Sequence, residues 1–280
     1  MNPELFEKLP PLRDVIDQHK LRARKSLGQN FLLDMNLTEK IARAAGKLTD
    51  VTVFEIGPGP GGLTRGLLTT NAKKIIAIEK DRRCMAALQN VIECSEGRLN
   101  VIEADALKMD VTEMADAPRA IVANLPYNIA TILLISWLKK IQDFQSLTLM
   151  FQKEVALRIV AKVGDKAYGR LSVMTGWLAH AHIAFDVPAR AFTPAPKVTS
   201  SIVCISPRAE TSDIPFEFME KIVATAFNQR RKMIRKSLKP LYEDTETWLA
   251  KAGVKPTVRA EEIDVAGFER LCRALQELID

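Results

Sequence analysis

Short apolar runs rich in β-branched residues alternate with helix-type patterns between about residues 52 and 152. Continuous apolar runs are typical of strands buried on both faces, and apolar residues spaced three to four apart indicate helices. This alternation predicts βα units in a doubly wound, Rossmann-like parallel sheet. The predicted strands are Thr52–Ile56, Lys74–Ile78, Leu99–Glu103, Ala120–Ala123 and Ser146–Phe151, and the predicted helices are Gly61–Thr70, Arg82–Cys94 and Ile129–Ile141.

Two more strand patterns follow, at His182–Val187 and Ser200–Ile205. The loop between them contains prolines and is too short for a βαβ crossover, so the pair is predicted to form an antiparallel hairpin. Ser206–Pro215 has the composition of a linker, and no strand pattern lies beyond it. We therefore expect a first domain over residues 1–207 and a small all-α domain over residues 208–280.

Composition narrows the class of protein without identifying it. Among 280 residues, 40 basic and 34 acidic side chains give a net charge of +6, which favours a polyanionic partner. The four cysteines lack metal-ligand spacing, so no metal site is predicted. The longest apolar stretch, Ile129–Leu138, is about half of the ~20 residues that span a bilayer, and the first residues lack a signal-peptide pattern. A cytoplasmic protein without membrane segments is expected, and nothing demands more than a monomer.

A glycine-rich turn follows the first predicted strand, where residues 55–62 read Glu-Ile-Gly-Pro-Gly-Pro-Gly-Gly. Open α/β sheets bind ligands at the carboxyl ends of their strands, and glycines let a ligand approach the backbone closely. Glu79 ends the second strand and Asp105 follows the third, where carboxylates suit ribose hydroxyls and an adenine amino group. Each feature alone has an alternative interpretation without a ligand: the glycine-rich segment can be a tight turn, and a carboxylate at a strand end can simply be solvated. Together they predict a nucleoside-type cofactor.

Two cofactor classes fit such a site. A nicotinamide dinucleotide needs a Gly-x-Gly-x-x-Gly turn with backbone donors facing a pyrophosphate. Here Pro58 and Pro60 remove donors, and Glu55 would repel an anion. S-adenosylmethionine, which carries a cationic methionine end, is the predicted cofactor, and the dinucleotide is the alternative.

The tetrapeptide Asn124-Leu125-Pro126-Tyr127 follows the fourth predicted strand. An adenine amino nitrogen is a poor nucleophile because its lone pair is delocalised into the ring. The Asn124 side-chain oxygen and the Leu125 carbonyl, constrained by Pro126, can accept both amino hydrogens and favour the tetrahedral nitrogen of the transition state. Tyr127 offers a stacking face for a flipped base. The alternative interpretation of this segment is an ordinary turn.

Three further segments suggest contacts with a nucleic acid. Phe192, in the loop between the last two strands, is a candidate second stacking face or else a hydrophobic plug. The segments at residues 20–32 and 227–239 are rich in basic residues, and helical spacing in the second lets the apolar side chains face the core. The alternative is a solvated charged surface. The predicted RNA-binding residues are Arg22, Arg24, Lys25, Arg230, Arg231, Lys232 and Arg235.

Six motifs together resemble the ribosomal RNA adenine N6,N6-dimethyltransferase family, and most closely its bacterial members that act on small-subunit RNA. They are Gln29–Leu32, Glu55–Gly61, Asn124–Tyr127, Gln152–Ala156, Tyr168–Ser172 and Phe192–Val198. The resemblance implies dimethylation of two adjacent adenosines in the 3′-terminal hairpin of 16S ribosomal RNA and a role in small-subunit assembly. The basic run within residues 227–239 makes the helical domain the predicted RNA-binding domain. The resemblance also implies a set of cofactor-binding residues: Asn30, Leu32, Gly57, Glu79, Asp105 and Asn124.

Other functions remain open at this point. Dimethylases of large-subunit RNA, which confer antibiotic resistance, share the fold and motifs. A DNA adenine methyltransferase is disfavoured by Leu125, and a non-catalytic assembly or transcription factor is disfavoured by the intact candidate site.

Overall fold

The chain forms two compact units in the computed structural model, which describes residues 7, 9–24 and 28–279. The first unit comprises the chain up to Ala156 together with His182–Pro207, and the second comprises Leu157–Ala181 and the chain from Arg208 onward. The predicted domain boundary after Pro207 is also a boundary between the two units of the structure. The predicted first domain is wrong in one respect, because it included residues 157–181, which belong to the second unit. Those residues belong with the helical unit because Val173, Met174 and Trp177 are buried in its core.

The helices and strands are numbered here in chain order. They are α1 Leu12–Gln18, β1 Phe31–Leu32, α2 Met35–Ala44, β2 Thr52–Ile56, α3 Gly62–Leu68, β3 Lys74–Glu79, α4 Arg82–Cys94, β4 Leu99–Glu103, β5 Arg119–Ala123, α5 Tyr127–Leu138, β6 Ser146–Gln152, α6 Lys153–Val160, α7 Arg170–Leu178, β7 Ala179–Val187, β8 Phe192–Thr193, β9 Ser200–Pro207, α8 Phe216–Asn228, α9 Ile234–Leu238, α10 Thr245–Lys251 and α11 Val265–Ile279. None of the helices in the described ranges has both the length and the apolar character needed to cross a bilayer.

A seven-stranded sheet in the order β4-β3-β2-β5-β6-β9-β7 forms the centre of the first unit. Strands β2 to β6 pair in parallel, and β9 runs antiparallel to β6. The chain steps outward from β2 to β4 and then returns to the other side of β2, so the strand order reverses between β2 and β5. The doubly wound prediction is therefore confirmed, and its switch point is the expected place for a ligand.

The structure contains a second, two-stranded sheet that the sequence analysis did not predict. Strand β1 pairs antiparallel with β8, with Leu32 opposite Phe192. Two residues are too few to show a period of two, so only long-range pairing defines these strands.

The second unit is helical around a core that contains Trp248 and Phe268, both fully buried. Two polar side-chain groups in this core donate to backbone carbonyls: the Tyr168 hydroxyl donates to Ile263 at 2.9 Å and the Trp248 indole to Leu271 at 2.8 Å. This agrees with the expected all-α character of the tail.

The basic run of the tail is not one helix, contrary to the helical spacing predicted for it. Helix α8 ends at Asn228, Met233 forms a β-bridge with Arg259, and the Ile234 N–H donates to the Val258 carbonyl at 2.7 Å. These pairings break the helix and leave residues 229–233 as a turn. Further along, Ile234 and Leu238 are fully buried, so the predicted inward-facing side is confirmed for both.

Helices α2 and α3 pack backbone against backbone at Gly66. A Cβ atom at this position would lie 2.6 Å from the Thr38 carbonyl carbon and 2.7 Å from its oxygen. Real Cβ atoms do not approach backbone so closely, and Thr38 is itself fully buried. Helix α3 directly follows the glycine-rich turn, so this contact also fixes the position of that turn.

We expect Gly66→Ala to destabilise the first unit, although alanine is the better helix former by about 1 kcal/mol. Overpacking against backbone typically costs about 1–3 kcal/mol and should outweigh that gain. Thermal unfolding checks this, with Gly176→Ala in α7 as the matched control, because there the nearest atom is a valine methyl at 3.3 Å. An unchanged or raised Tm for Gly66→Ala would contradict the close packing.

Candidate active site

An open cavity of about 1130 Å³, counting the solvent at its mouth, lies at the carboxyl ends of β2, β3 and β5. This is the edge of the sheet where the strand order reverses. Every residue that lines the cavity belongs to the first unit. The lining segments are Gly28–Leu32, Glu55–Pro60, Gly62–Leu63, Ile78–Lys80, Ala104–Leu107 and Asn124–Ile129.

The glycine-rich turn forms one wall of the cavity. Gly57 and Gly59 have φ values of +69° and +57°, in the left-handed region that favours glycine. The Gly57 N–H donates to the Ile78 carbonyl at 2.9 Å, and the Gly59 N–H donates to Glu79 Oε2 at 2.8 Å. On the other side, a Cβ on Gly59 would lie 3.2 Å from the Phe31 ring. The turn is therefore held between an aromatic ring and a carboxylate.

Glu79 ends β3 at the cavity, as predicted, and is 5% exposed. Its Oε2 accepts from Gly59 and its Oε1 accepts from the Asp81 N–H at 2.7 Å. Burial raises the pKa of this carboxyl, while the two backbone donors oppose the shift. Both oxygens keep lone pairs for further donors.

Asp105 also lines the cavity, where it forms an ion pair that the sequence did not suggest. Its Oδ2 accepts from Lys80 Nζ at 2.8 Å, and its Oδ1 accepts from the Leu107 N–H at 3.1 Å. The Lys80 hydrogen bond is the main cause that lowers the pKa of Asp105. The carboxylate is thus ionised and its orientation is fixed at the end of β4.

Glu55, which the sequence analysis used only to choose between cofactor classes, is a further residue of the site. It is 1% exposed, and its Oε2 has no hydrogen-bond partner among the described residues. Burial raises the pKa of Glu55 to about 8; the nearby Glu79 charge adds to the rise, and Thr64 opposes it. A buried acceptor without a partner needs a donor. Since Glu55 lines the cavity, a ligand's donor can supply it.

Asn124 follows β5 on the opposite side of the switch point. Its Nδ2 donates to the Asn30 carbonyl at 3.1 Å, and Asn30 Nδ2 donates in turn to the Gly28 carbonyl at 3.2 Å. This bond fixes the orientation of the Asn124 amide and leaves Oδ1 as its remaining acceptor. Leu125 is 2% exposed, and Pro126 is the residue before the first turn of α5. The tetrapeptide is therefore a turn that also lines the cavity.

Tyr127 is the first residue of α5 and lines the same cavity. Its hydroxyl lies 2.6 Å from Ser200 Oγ. Burial raises the pKa of Tyr127, so the hydroxyl stays protonated at neutral pH. The side chain is thus anchored at its far end and is not ionised.

Phe192 does not present a stacking face in this structure. It is 3% exposed, belongs to the hydrophobic core with Val187 and Ile202, and is absent from the cavity lining. Pairing of β8 with β1 places it opposite Leu32, which draws the ring inward. In this structure the ring packs as a hydrophobic plug, the alternative interpretation, and its role as a stacking face for a bound base stays a prediction.

The predicted basic arm is joined to the site by Gln29. Gln29 Nε2 donates to Asp81 Oδ2 at 2.9 Å, and its Oε1 accepts from the Arg24 N–H at 3.0 Å. Arg22 and Arg24 are exposed, and Lys25 lies outside the described residues. Neither exposed arginine lines the cavity.

The four predicted cations of the tail differ in their contacts. Arg230 pairs with Glu261 at 2.5 Å and donates to the Lys166 carbonyl at 2.9 Å, and Arg235 reaches Glu246 at 3.4 Å. Arg231 and Lys232 lie exposed in the turn. Across residues 7, 9–24 and 28–279, no cluster of His, Cys, Asp and Glu has the composition of a metal site.

A glycine-rich loop and acidic side chains at the switch point of a doubly wound sheet define a Rossmann-like protein with a nucleoside-type cavity. The family model for ribosomal RNA adenine dimethylase matches residues 20–277. The chain therefore belongs to the ribosomal RNA adenine dimethylase family, which confirms the resemblance seen in its motifs.

Relatives and solved structures agree with that assignment. Ribosomal RNA small subunit methyltransferase A from Xanthobacter autotrophicus is 58% identical over 98% of this chain and 96% of its own length. The protein of the same name from Rhizobium meliloti is 56% identical over 96% and 99%. A dimethyladenosine transferase from Plasmodium falciparum has a TM-score of 0.74 at 28% identity, over 88% and 98%. The 23S rRNA methyltransferase ErmE has a TM-score of 0.68 at 30% identity, over 88% and 100%.

The protonated state of Glu55 gives a pH prediction for the ligand-free protein. Its pKa is about 8 in the fold against an ordinary value of 4.5, so between these values the unfolded chain loses a proton that the fold retains. Stability therefore falls through that window, by about 1.4 kcal/mol per pH unit at most. Glu55→Gln removes this loss, so its Tm relative to the parent should rise from pH 5 to pH 8.

Thermal unfolding across that pH range measures the effect. Glu154→Gln, which replaces an exposed carboxyl on α6, is the control and should leave the pH profile of the parent unchanged. A Tm difference between Glu55→Gln and the parent that does not vary with pH would show that Glu55 is ionised in the fold.

Proposed function

We propose that this chain uses S-adenosylmethionine to dimethylate N6 of two adjacent adenosines in the 3′-terminal hairpin of 16S ribosomal RNA. The observation that carries the proposal is Asn124, whose amide is held by the Asn30 carbonyl at the wall of a cavity that Tyr127 also lines. Family membership supports the reaction class. We place the reaction in the cytoplasm, on small-subunit precursors. The monomeric state stays a prediction.

The residues that line the cavity fit the cofactor. Bound S-adenosylmethionine supplies an electrophilic methyl group and carries an ammonium, ribose hydroxyls and an adenine amino group as donors. Unpartnered Oε2 of Glu55 fits a donor from the cationic end, Glu79 fits the hydroxyls and Asp105 fits the adenine. The rest of the proposed cofactor-binding wall is backbone and apolar surface, which Gly57, Asn30 and Leu32 contribute.

Asn124 and Leu125 prepare the target nitrogen. With Nδ2 occupied by Asn30, Asn124 Oδ1 can accept one amino hydrogen, and the Leu125 carbonyl, fixed before Pro126, can accept the other. Two acceptors favour a tetrahedral nitrogen, which concentrates the lone pair for attack. The nitrogen would take the methyl group as the methyl–sulfur bond breaks, with S-adenosylhomocysteine as the leaving group. The proton would pass to water afterwards, because an amide cannot take it up. Tyr127 stacks on the base and holds it in register.

The small-subunit substrate is favoured over the large-subunit one by the relatives. Proteins named for the small subunit are 56% and 58% identical to this chain, whereas the 23S enzyme is 30% identical. The motifs of the candidate site do not distinguish the two groups, so we assign the choice of RNA to surfaces outside the cavity. We assign part of that role to the exposed turn with Arg231 and Lys232, and keep Arg22, Arg24 and Lys25 as candidates.

Transfer of a radiolabelled methyl group to purified ribosomal subunits tests the proposal. We expect label in adenosine of small subunits that lack this modification and none in large subunits. Label confined to large-subunit RNA would establish the competing dimethylase. No transfer to either subunit, by protein that binds S-adenosylmethionine, would point to a non-catalytic factor.

Asn124→Ala should lower the single-turnover methylation rate by orders of magnitude, since each ~1.4 kcal/mol lost at the transition state is tenfold. RNA binding should survive, because Asn124 contributes one small contact. Tyr127→Ala should also be slow, whereas Tyr127→Phe keeps the ring and should lose less than tenfold. A parental rate for Asn124→Ala would refute the mechanism and leave the tetrapeptide as only a turn.

Replacing Arg231 and Lys232 together with Gln should weaken RNA binding. If each meets one phosphate, the slope of log K against log salt should fall by about 1.4–1.8. The control is Lys221→Gln with Lys255→Gln, the same charge change at two other exposed sites of the second unit. Equal slopes for the two double variants would show that only net charge matters.

A further inference from the structure

A partly buried hydrogen bond connects the candidate stacking residue to a distant strand. The Tyr127 hydroxyl lies 2.6 Å from the hydroxyl of Ser200, the first residue of β9. Ser200 is fully buried and is paired with Gln152 in the antiparallel register of β6 and β9. Ser200 does not line the cavity, and no role follows for it from the motifs.

This bond restrains the far end of a partly buried ring, whose near end is attached to the first residue of α5. A tyrosine ring turns about two side-chain torsions, and a bond at its far end fixes both. Because Ser200 lies in a fully buried strand position, the anchor is rigid.

We propose that Ser200 is a positioning residue, which holds the Tyr127 ring so that a stacked adenine presents its amino group to Asn124. This rests on the proposed function. Small displacements of a reacting group cost large factors in rate, because attack requires an aligned geometry. The neutral hydroxyl pair supplies that alignment without proton transfer to or from the substrate.

The chain offers a close control for this role. Ser201, the next residue of β9, is also fully buried, and its hydroxyl donates to Asp186 Oδ1 at 2.6 Å. Successive residues of a strand face opposite sides of the sheet. Serine-to-alanine changes at the two positions therefore remove the same atom and a bond of the same length, but only one of them releases Tyr127.

The experiment compares Ser200→Ala, Tyr127→Phe, their double variant and Ser201→Ala in single-turnover methyl transfer at saturating RNA and S-adenosylmethionine. We expect Ser200→Ala and Tyr127→Phe each to be several-fold slower than the parent, with unchanged Kd values for both ligands. The double variant should be no slower than either single one, because both remove the same bond. Ser201→Ala should keep the parental rate.

A hairpin RNA with 2-aminopurine at the target position gives a second readout. Stacking on a fixed ring quenches its fluorescence, so Ser200→Ala should give a brighter bound state than Ser201→Ala. A general loss of stability would lower the Tm of either variant without this contrast.

A parental rate and parental quenching for Ser200→Ala would overturn the proposal. So would rate losses that multiply in the double variant, because these would show independent effects. If the parent itself transfers no methyl group to adenosine, it is the proposed function that fails, and the fluorescence contrast alone decides whether Ser200 positions the ring.

Discussion

The carboxylate of Glu79 accepts backbone hydrogen bonds from two turns, and the shape of the cavity depends on it. One bond comes from Gly59 in the turn after β2, and the other comes from Asp81 at the start of α4. A buried carboxylate is costly unless donors satisfy it, so these bonds persist together. They join the first two βα units at their ligand-binding ends. The cavity wall is therefore largely formed before any ligand arrives.

The segment Gln29–Leu32, which lies outside the seven-stranded sheet, makes further contacts that hold the site together. Each of its four residues contacts a different part of the site, through a side chain, a carbonyl or a ring. Their partners are, in order, Asp81, Asn124, Gly59 and Gly62. One short segment thus ties both sides of the switch point together, which gives a physical reason for a motif at this place in the chain.

The parallel strands were predictable because each is a continuous apolar run, and the strand ends then located Glu79, Asp105 and Asn124. Features that depend on distant pairing were not predictable. Phe192 becomes a plug only because β8 pairs with β1, and the protonated state of Glu55 requires its complete burial. Similarly, Ser200 gains a role through a partner 73 residues away. Periodicity reports local structure and carries no information about such contacts.

The second unit is built from two separated stretches of chain, and this has a consequence for its synthesis. Tyr168 leaves the ribosome 95 residues before its hydrogen-bond partner Ile263, and Trp177 leaves 92 residues before Glu269. The strands of the first unit are complete once Pro207 has emerged. Until α8 and α11 have emerged, the apolar side of α7 lacks the partners that bury it, which include Phe216 and Glu269. Over that interval the nascent chain carries an exposed apolar segment, which is the kind of surface that chaperones bind.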